Sequence, residues 1–211
     1  MKIALINGSP KTSGSASGCI LQNLRSLLDE EGSVIGEYHL KRPGVSAEEV
    51  AALGQSDALV FAFPLYVDGI PSHLLHSLVQ LEQSLVKEKQ ETMVYALANC
   101  GFYEGHQNRW ALAMMESWCS KAGLMWGQGI GIGAGGMLPA IQSVPLGYGP
   151  KKNFGKALQQ LAANIANCSA DENLFVTANF PKLVYKLAAE AGWVRSAKAN
   201  GLRWRDLSLR R

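Results

Sequence analysis

The chain has 211 residues, which is enough for one domain with a full hydrophobic core and a small appendage. Apolar residues make up 47% of it and charged residues 18%, a balance typical of globular α/β proteins. No apolar run is long enough to span a membrane, and the four cysteines are scattered without a C-x-x-C pair, which argues against a zinc or iron–sulfur site. We therefore expect a cytoplasmic protein with buried free thiols, no metal and no stable membrane insertion.

Short apolar runs alternate along the chain with apolar residues at helical spacing. The runs predict strands over residues 3–6, 33–40, 58–63, 93–98 and 124–132. The helical spacing predicts helices over residues 15–31, 47–53, 71–85, 110–118 and 154–165. Strands that alternate with helices predict an α/β fold in which a parallel sheet is covered on both faces. Ligands of such folds bind at the carboxyl ends of the strands, so the loops that follow the strands are the candidate sites.

The loop after the first strand is rich in hydroxyl groups and carries one cation. These side chains are Ser9, Lys11, Thr12, Ser13, Ser15 and Ser17. A strand, a polar loop and a helix N-terminus form the arrangement with which α/β proteins hold a phosphate. Gly8 and Gly14 enclose five residues rather than the four of a Walker A loop, and the loop has no G-x-G-x-x-G. The pattern favours a mononucleotide with one terminal phosphate, FMN being the leading candidate; an ordinary βα loop with a serine N-cap is the alternative.

Two further loops carry aromatic residues at the same predicted edge of the sheet. Residues 64–70 join a buried strand to a helix through a stiff backbone, and Tyr66 is suited to packing beside a planar ring. Residues 99–105 combine the hydrogen-bonding amide of Asn99 with the aromatic side chain of Phe102. Binding of a flat ring is the functional interpretation of both loops. A rigid structural turn and a βα turn with surface aromatics are the alternatives.

Three motifs lie in these loops in a fixed order. They are Gly8-Ser9-Pro10-Lys11 with Ser15, Pro64-Leu65-Tyr66 with Gly69-Ile70-Pro71, and Asn99-Cys100-Gly101-Phe102. Through them the sequence resembles the flavodoxin-like NADPH-dependent FMN reductases, also called multimeric flavodoxins. The resemblance implies a flavodoxin-like three-layer sandwich with a five-stranded parallel sheet in the order 2-1-3-4-5. It also implies an FMN-binding domain over residues 1–170 and an amphipathic, basic helical extension over residues 171–211, packed on the same domain or on a neighbouring subunit.

The resemblance also implies which residues bind the cofactor. The residues expected to bind the FMN phosphate are Ser9, Lys11, Ser15, Ala16 and Ser17. Those expected to contact the flavin ring are Pro64, Leu65, Tyr66, Val67 and Asp68 of the second loop and Asn99, Cys100, Gly101 and Phe102 of the third. No side chain is expected to be an essential acid or base, because the cofactor carries the chemistry.

The activity implied by the resemblance is an FMN-dependent NAD(P)H oxidoreductase that passes electrons to a quinone, an azo or nitro compound or another small acceptor. A homodimer or homotetramer without a nucleic-acid partner is implied as well. A flavodoxin-type electron carrier without NAD(P)H oxidation is the alternative, although such carriers tend to be strongly acidic and this chain has a net charge of +3. A nucleotide-binding regulatory module on the same fold is a third class, which leaves the aromatic loops unexplained.

Two other segments invite a functional interpretation. Residues 180–211 carry eight basic side chains against two acidic ones. A solvated helix face is the favoured interpretation, and attraction to NADPH phosphates or to acidic lipids are the alternatives. Residues 131–136 match G-x-G-x-x-G by letter, but no clear helix follows them, so they are interpreted as a strand end and a flexible loop. This loop could border the substrate site, because glycine allows a ligand to approach the backbone closely.

Overall fold

A parallel sheet forms the centre of the fold. The computed structural model describes residues 1–29, 33–85 and 91–208, and within them six strands pair in the order β2-β1-β3-β4-β5-β6. The strands are β1 (Lys2–Asn7), β2 (Val34–His39), β3 (Ala58–Pro64), β4 (Met93–Asn99), β5 (Met125–Ile132) and β6 (Leu174–Val176). The predicted parallel sheet and its strand order are confirmed, and β6 extends the sheet beyond β5.

Helices cover both faces of this sheet. Before residue 178, the described part of the chain contains α1 (Ala16–Asp29), α2 (Ala47–Gly54), α3 (Ser72–Leu85), α4 (Arg109–Ala122) and α5 (Lys152–Ala166). Apolar residues of α1 and α5 pack on one face, and those of α2, α3 and α4 pack on the other. The predicted three-layer sandwich is therefore confirmed. The predicted end of the first helix at residue 31 lies outside the described residues.

The central strands are buried on both faces because helices cover both. In β1, Ile3 and Leu5 pack toward α1 and α5, while Ala4 and Ile6 pack toward the opposite helices. Strands buried in this way appear in the sequence as continuous apolar runs, which is why the runs predicted them.

A second unit, Asn179–Arg211, follows the first, Met1–Ala178. Its described part contains α6 (Lys182–Ala199) and a 3₁₀ turn at Trp204–Ser208. The first unit reaches eight residues beyond the expected boundary at residue 170, because β6 belongs to its sheet.

Several large apolar side chains of α6 are exposed. Helical spacing places Leu183 and Leu187 on one side of α6, with Val184 and Trp193 to either side of them, so apolar residues cover about half of the circumference. Lys198 falls within the same half, and the amphipathic pattern expected of this extension is consequently weak. Its packing on its own domain or on a neighbouring subunit stays a prediction. No helix among the described residues is long and apolar enough to cross a membrane.

Tyr95 of β4 connects the sheet to the end of α5. Its buried hydroxyl donates to the carbonyl oxygens of Asn164 (2.9 Å) and Ser169 (3.0 Å). Its ring lies against Gly127 of β5, where the β-carbon of any other residue would collide with the ring. Burial raises the pKa of the Tyr95 hydroxyl, so the group stays protonated and acts as a donor.

We predict that Tyr95→Phe lowers the free energy of unfolding by about 1–2 kcal/mol, because two buried carbonyl groups lose their shared donor. Urea denaturation measures the change. Tyr148→Phe is the matched control, since the Tyr148 side chain is largely exposed and its replacement leaves stability within about 0.5 kcal/mol. Equal losses in the two variants would contradict the prediction.

Candidate functional site

The three predicted loops lie next to each other at the carboxyl ends of the strands, which we call the carboxyl edge of the sheet. Parallel pairing places Asn7 beside Ala62, Pro64 beside Asn99, and Asn99 beside Ile132. The strands β1, β3, β4 and β5 therefore end at the same level, and the loops that follow them emerge side by side. This juxtaposition is the one that the alternation of strands and helices predicted.

Asn7, the last residue of β1, shapes the first loop. Its Oδ1 accepts the backbone N–H of Ser9 (3.0 Å), and its Nδ2 lies 3.5 Å from Ser15 Oγ. Ser15 also caps α1, because its Oγ accepts the backbone N–H of Gly18 (3.0 Å). The predicted residues Ser9, Ser15 and Ser17 are buried, whereas Lys11 is exposed. The three serines are therefore part of the hydrogen-bonded framework of the loop.

The same loop presents a run of backbone donors. Among the described residues, no acceptor contacts the backbone N–H groups of residues 12–17. The run includes Ala16 at the start of α1, where N–H groups have no partner within the helix and the helix dipole favours negative charge. Six consecutive donors of this kind at a helix N-terminus have the chemistry that anion binding requires.

A cavity of about 330 Å³ adjoins this run of donors. Its lining comes from the loop, the first turns of α1, the end of β2 and the segment after β5. The residues are Asn7, Lys11, Thr12, Ser13, Gly14, Ser15, Gly18, Cys19, Gln22, His39 and Gln142. This volume lies in the range of pockets that hold whole small molecules, so the space exceeds that needed for one bound water or ion.

Asn99, the last residue of β4, links the first two loops. Its buried amide donates to Ser17 Oγ (3.0 Å) and to the carbonyl oxygen of Phe63 (2.8 Å). Its own carbonyl oxygen accepts the backbone N–H of Leu65 (2.7 Å). Asn99, which was predicted to contact a ring, thus also fixes the positions of the surrounding loops.

The second loop makes a tight turn with strained backbone. Tyr66 and Gly69 exchange two backbone hydrogen bonds of 3.1 and 3.0 Å across Val67 and Asp68. Val67 has φ +49° and Asp68 has φ +59°, and positive φ is a rare conformation for a β-branched residue. Because the Val67 side chain is fully exposed, no packing of its own offsets the strain. Strain of this kind clusters at ligand-binding segments.

The third loop turns its cysteine inward and its phenylalanine outward. Cys100 Sγ lies 3.8 Å from the carbonyl oxygen of Phe102 and 3.4 Å from Asn108 Nδ2. Burial raises the pKa of the Cys100 thiol, so the group is protonated at neutral pH. The Phe102 side chain is 57% exposed. Of these two predicted ring contacts, Phe102 offers a side chain, whereas Cys100 offers only backbone.

A fourth loop, which follows β5, lies beside the other three, and sequence reasoning missed several polar residues near it. The loop after β5 packs on the third loop, since the backbone N–H of Gly135 donates to the Cys100 carbonyl (2.8 Å). Gln142 of this segment donates to Cys19 Sγ (2.9 Å) and lines the cavity. His73 of α3 donates from Nε2 to the Gly8 carbonyl (3.1 Å). The sequence signal for the fourth loop is the glycine-rich run at residues 131–136.

We predict that Val67→Gly raises the free energy of unfolding by up to about 1 kcal/mol, because glycine relieves the strain of the left-handed backbone and no packing is lost. Thermal or urea denaturation measures the change. Val34→Gly is the matched control at an exposed strand position, where glycine should lower stability by about 0.5–1 kcal/mol. Destabilisation by Val67→Gly as large as that by the control would contradict the strained turn.

The thiols offer a second prediction. Cys168 is exposed, whereas Cys19, Cys100 and Cys119 are buried, and burial raises the pKa of Cys119 to about 12. A thiol-reactive reagent at pH 7.5 should therefore modify about one thiol per native chain, and all four after denaturation. Cys168→Ser should abolish the native reaction. Rapid labelling of Cys100 in the native protein would contradict the inward orientation of its side chain.

Several solved structures share this architecture. The chain is similar to a flavone reductase with a TM-score of 0.62 and 10% identity, over 82% of this chain and 66% of that one. It is similar to a flavodoxin from Streptococcus pneumoniae TIGR4 with a TM-score of 0.56 and 10% identity, over 80% and 99% of the two chains. It is also similar to the Flv1 flavodiiron core from Synechocystis sp. PCC6803, with a TM-score of 0.54 and 16% identity. That similarity covers 80% of this chain but only 36% of the flavodiiron chain.

By sequence, no protein-family model and no curated protein matches the chain. The likeness therefore rests on the architecture: a parallel sheet in the order found above, helices on both faces, and loops that meet at the carboxyl edge. The chain has a flavodoxin-like fold.

Proposed function

We propose that this protein binds FMN at the carboxyl edge of its sheet and is an NAD(P)H-dependent oxidoreductase. One observation carries the proposal: the free backbone donors of residues 12–17 lie at the same edge as two loops that expose Tyr66 and Phe102. An anion site beside exposed aromatic side chains matches a ligand with a phosphate at one end and a flat ring at the other. Bound FMN supplies hydride acceptance and onward electron transfer.

The phosphate end of the ligand suits the first loop. Lys11 offers a positive charge on the cavity wall, and residues 12–17 offer backbone donors. Ser15 Oγ accepts the Gly18 N–H and therefore keeps its own hydroxyl hydrogen available for donation. Ser17 Oγ likewise accepts from Asn99 and keeps a hydrogen. We assign Ser9, Lys11 and residues 15–17 to this end, as the sequence motifs imply.

The ring end of the ligand suits the second and third loops. We assign Pro64, Leu65, Tyr66, Val67 and Asp68 to one side of the ring, and Asn99, Cys100, Gly101 and Phe102 to its polar edge and other side. The turn at Val67 is held by backbone bonds before any ligand arrives, which lowers the conformational entropy lost on binding. Phe102 is exposed in the same region and offers a stacking surface.

No side chain is required as an acid or base in this proposal. His106, near the third loop, packs its ring edge-on against Phe175 with 4.9 Å between the ring centroids. The work of the protein is to orient the flavin and to exclude water from one side of it. Single substitutions are therefore expected to slow turnover rather than abolish it.

The charge of the chain favours an enzyme over an electron carrier. Protein electron carriers that dock with basic partners use strongly acidic surfaces, whereas this chain has a net charge of +3. A flavone reductase and a flavodoxin are both among the similar structures, so the fold is compatible with either activity. We propose a small acceptor such as a quinone, an azo compound or a nitro compound.

A homo-oligomer is the second part of the proposal. α3 exposes Leu75 and Val79, and α4 exposes Trp110 and Met114 at the same one-turn spacing. The two helices pack side by side, and Met114 lies near Gly69 of the second loop. A homodimer or homotetramer formed through this face would cover the apolar side chains next to the ring site.

The experiment that tests the function begins with the visible spectrum of the purified full chain. We expect flavin absorption, or uptake of added FMN, followed by anaerobic bleaching with NADPH or NADH and reoxidation by a quinone. A colourless protein that takes up no FMN on titration would overturn the proposal. Flavin that stays oxidised with both nicotinamides, yet is reduced by a protein partner, would instead indicate the electron carrier.

A further inference from the structure

We propose that His39 is a phosphate-binding residue and makes the site selective for FMN over riboflavin. The inference rests on the proposed function, because it names a residue of the same site. Neither the sequence motifs nor the loop they define includes His39, which lies on the edge strand β2. Three observations lead to it: its register on the sheet, the direction of its side chain, and the charge of the cavity that it lines.

Register brings His39 to the phosphate loop. It pairs with Asn7 of β1, whose side chain bonds the Ser9 N–H and approaches Ser15 Oγ. Both strands end here, so His39 stands at the carboxyl edge of the sheet, next to the residue that shapes the loop.

Strand alternation directs the His39 side chain toward α1. Residues two apart on a strand share a face, and Ile35 packs against the core on the α1 side. Glu37, on the same face, contacts Arg25 of α1 through an ion pair. His39 follows with the same orientation and lines the 330 Å³ cavity at the N-terminus of α1.

The cavity is suited to an anion. Lys11 and His39 are the basic side chains in its lining, and no carboxylate is part of that lining in the described residues. Glu37, in the smaller adjoining cavity of about 140 Å³, is already bonded to Arg25. No described residue forms a hydrogen bond or ion pair with the His39 ring, so a ring N–H is available to a phosphate oxygen.

Selectivity follows from the chemistry of the two flavins. FMN and riboflavin share the ring and the ribityl chain, and only FMN carries the phosphate. A charge-assisted hydrogen bond from His39 would strengthen FMN binding alone. We expect His39→Ala to weaken FMN binding about tenfold and to leave riboflavin binding unchanged. His39→Gln, which keeps a hydrogen-bond donor at this position, should weaken FMN binding less than His39→Ala.

The experiment titrates the full chain, freed of flavin, with FMN and separately with riboflavin, following the quenching of flavin fluorescence. His76→Ala is the matched control, because His76 is an exposed histidine on α3 outside the cavity lining. Unfolding midpoints of all variants check that each is folded. Unchanged FMN affinity in His39→Ala, or equal losses for FMN and riboflavin, would overturn the inference.

Inorganic phosphate separates this inference from the proposed function. Proton NMR of the flavin-free chain follows the imidazole signals, and the His39 signals are identified by their loss in His39→Gln. We expect phosphate to shift the His39 signals and to leave those of His76 in place. Such a shift without any flavin binding would retain His39 as a phosphate-binding residue and overturn both the flavin selectivity and the proposed function. Flavin binding without a phosphate-induced shift of the His39 signals, and without a loss of FMN affinity in His39→Ala, would overturn the inference and retain the proposed function.

Discussion

The amide of Asn99 is the interaction on which the geometry of the edge depends. One buried NH₂ group holds Ser17 at the start of α1 and the Phe63 carbonyl at the end of β3, while the Asn99 backbone continues the pairing of β4 with Leu65. Leaving a buried amide without such partners would lower the free energy of unfolding, so this one side chain holds the three loops in fixed positions relative to each other. Parallel pairing brings the loops to the same level, and Asn99 fixes their spacing.

The loops at this edge are held in place by hydrogen bonds within the chain itself. The turn at Val67 adopts positive φ because two backbone bonds between Tyr66 and Gly69 enforce it, and strain is tolerated where the surroundings determine the conformation. Asn7 similarly sets the first loop from the end of β1. The polar framework therefore precedes the ligand, and a ligand that enters meets donors already in position. Preorganisation of this kind raises affinity without adding contacts.

The sequence predicted the central strands, the loop after β1 and the helix that follows it because their signals are local: continuous apolar runs, a hydroxyl-rich segment and a following helical pattern. It missed β6, whose three residues Leu174–Val176 become a strand only by pairing with β5. It missed His39 because the direction of that side chain follows from the register with Asn7, which is a long-range property. The positive φ of Val67 was equally hidden, since it depends on the backbone bonds between Tyr66 and Gly69, which a pattern of residue types does not reveal.

The free donors of residues 12–17 determine how ligand binding and folding are coupled. These N–H groups cannot be buried without a partner, so the loop must remain open to water until an anion replaces that water. A dianion that bonds several of them at once gains charge-assisted hydrogen bonds in exchange for weaker ones to water. The cap that Ser15 places on α1 exists only in the folded chain, so the unfolded chain offers no comparable arrangement of donors. A phosphate bound to these donors would therefore stabilise the folded state, and most strongly the contact between the first loop and α1.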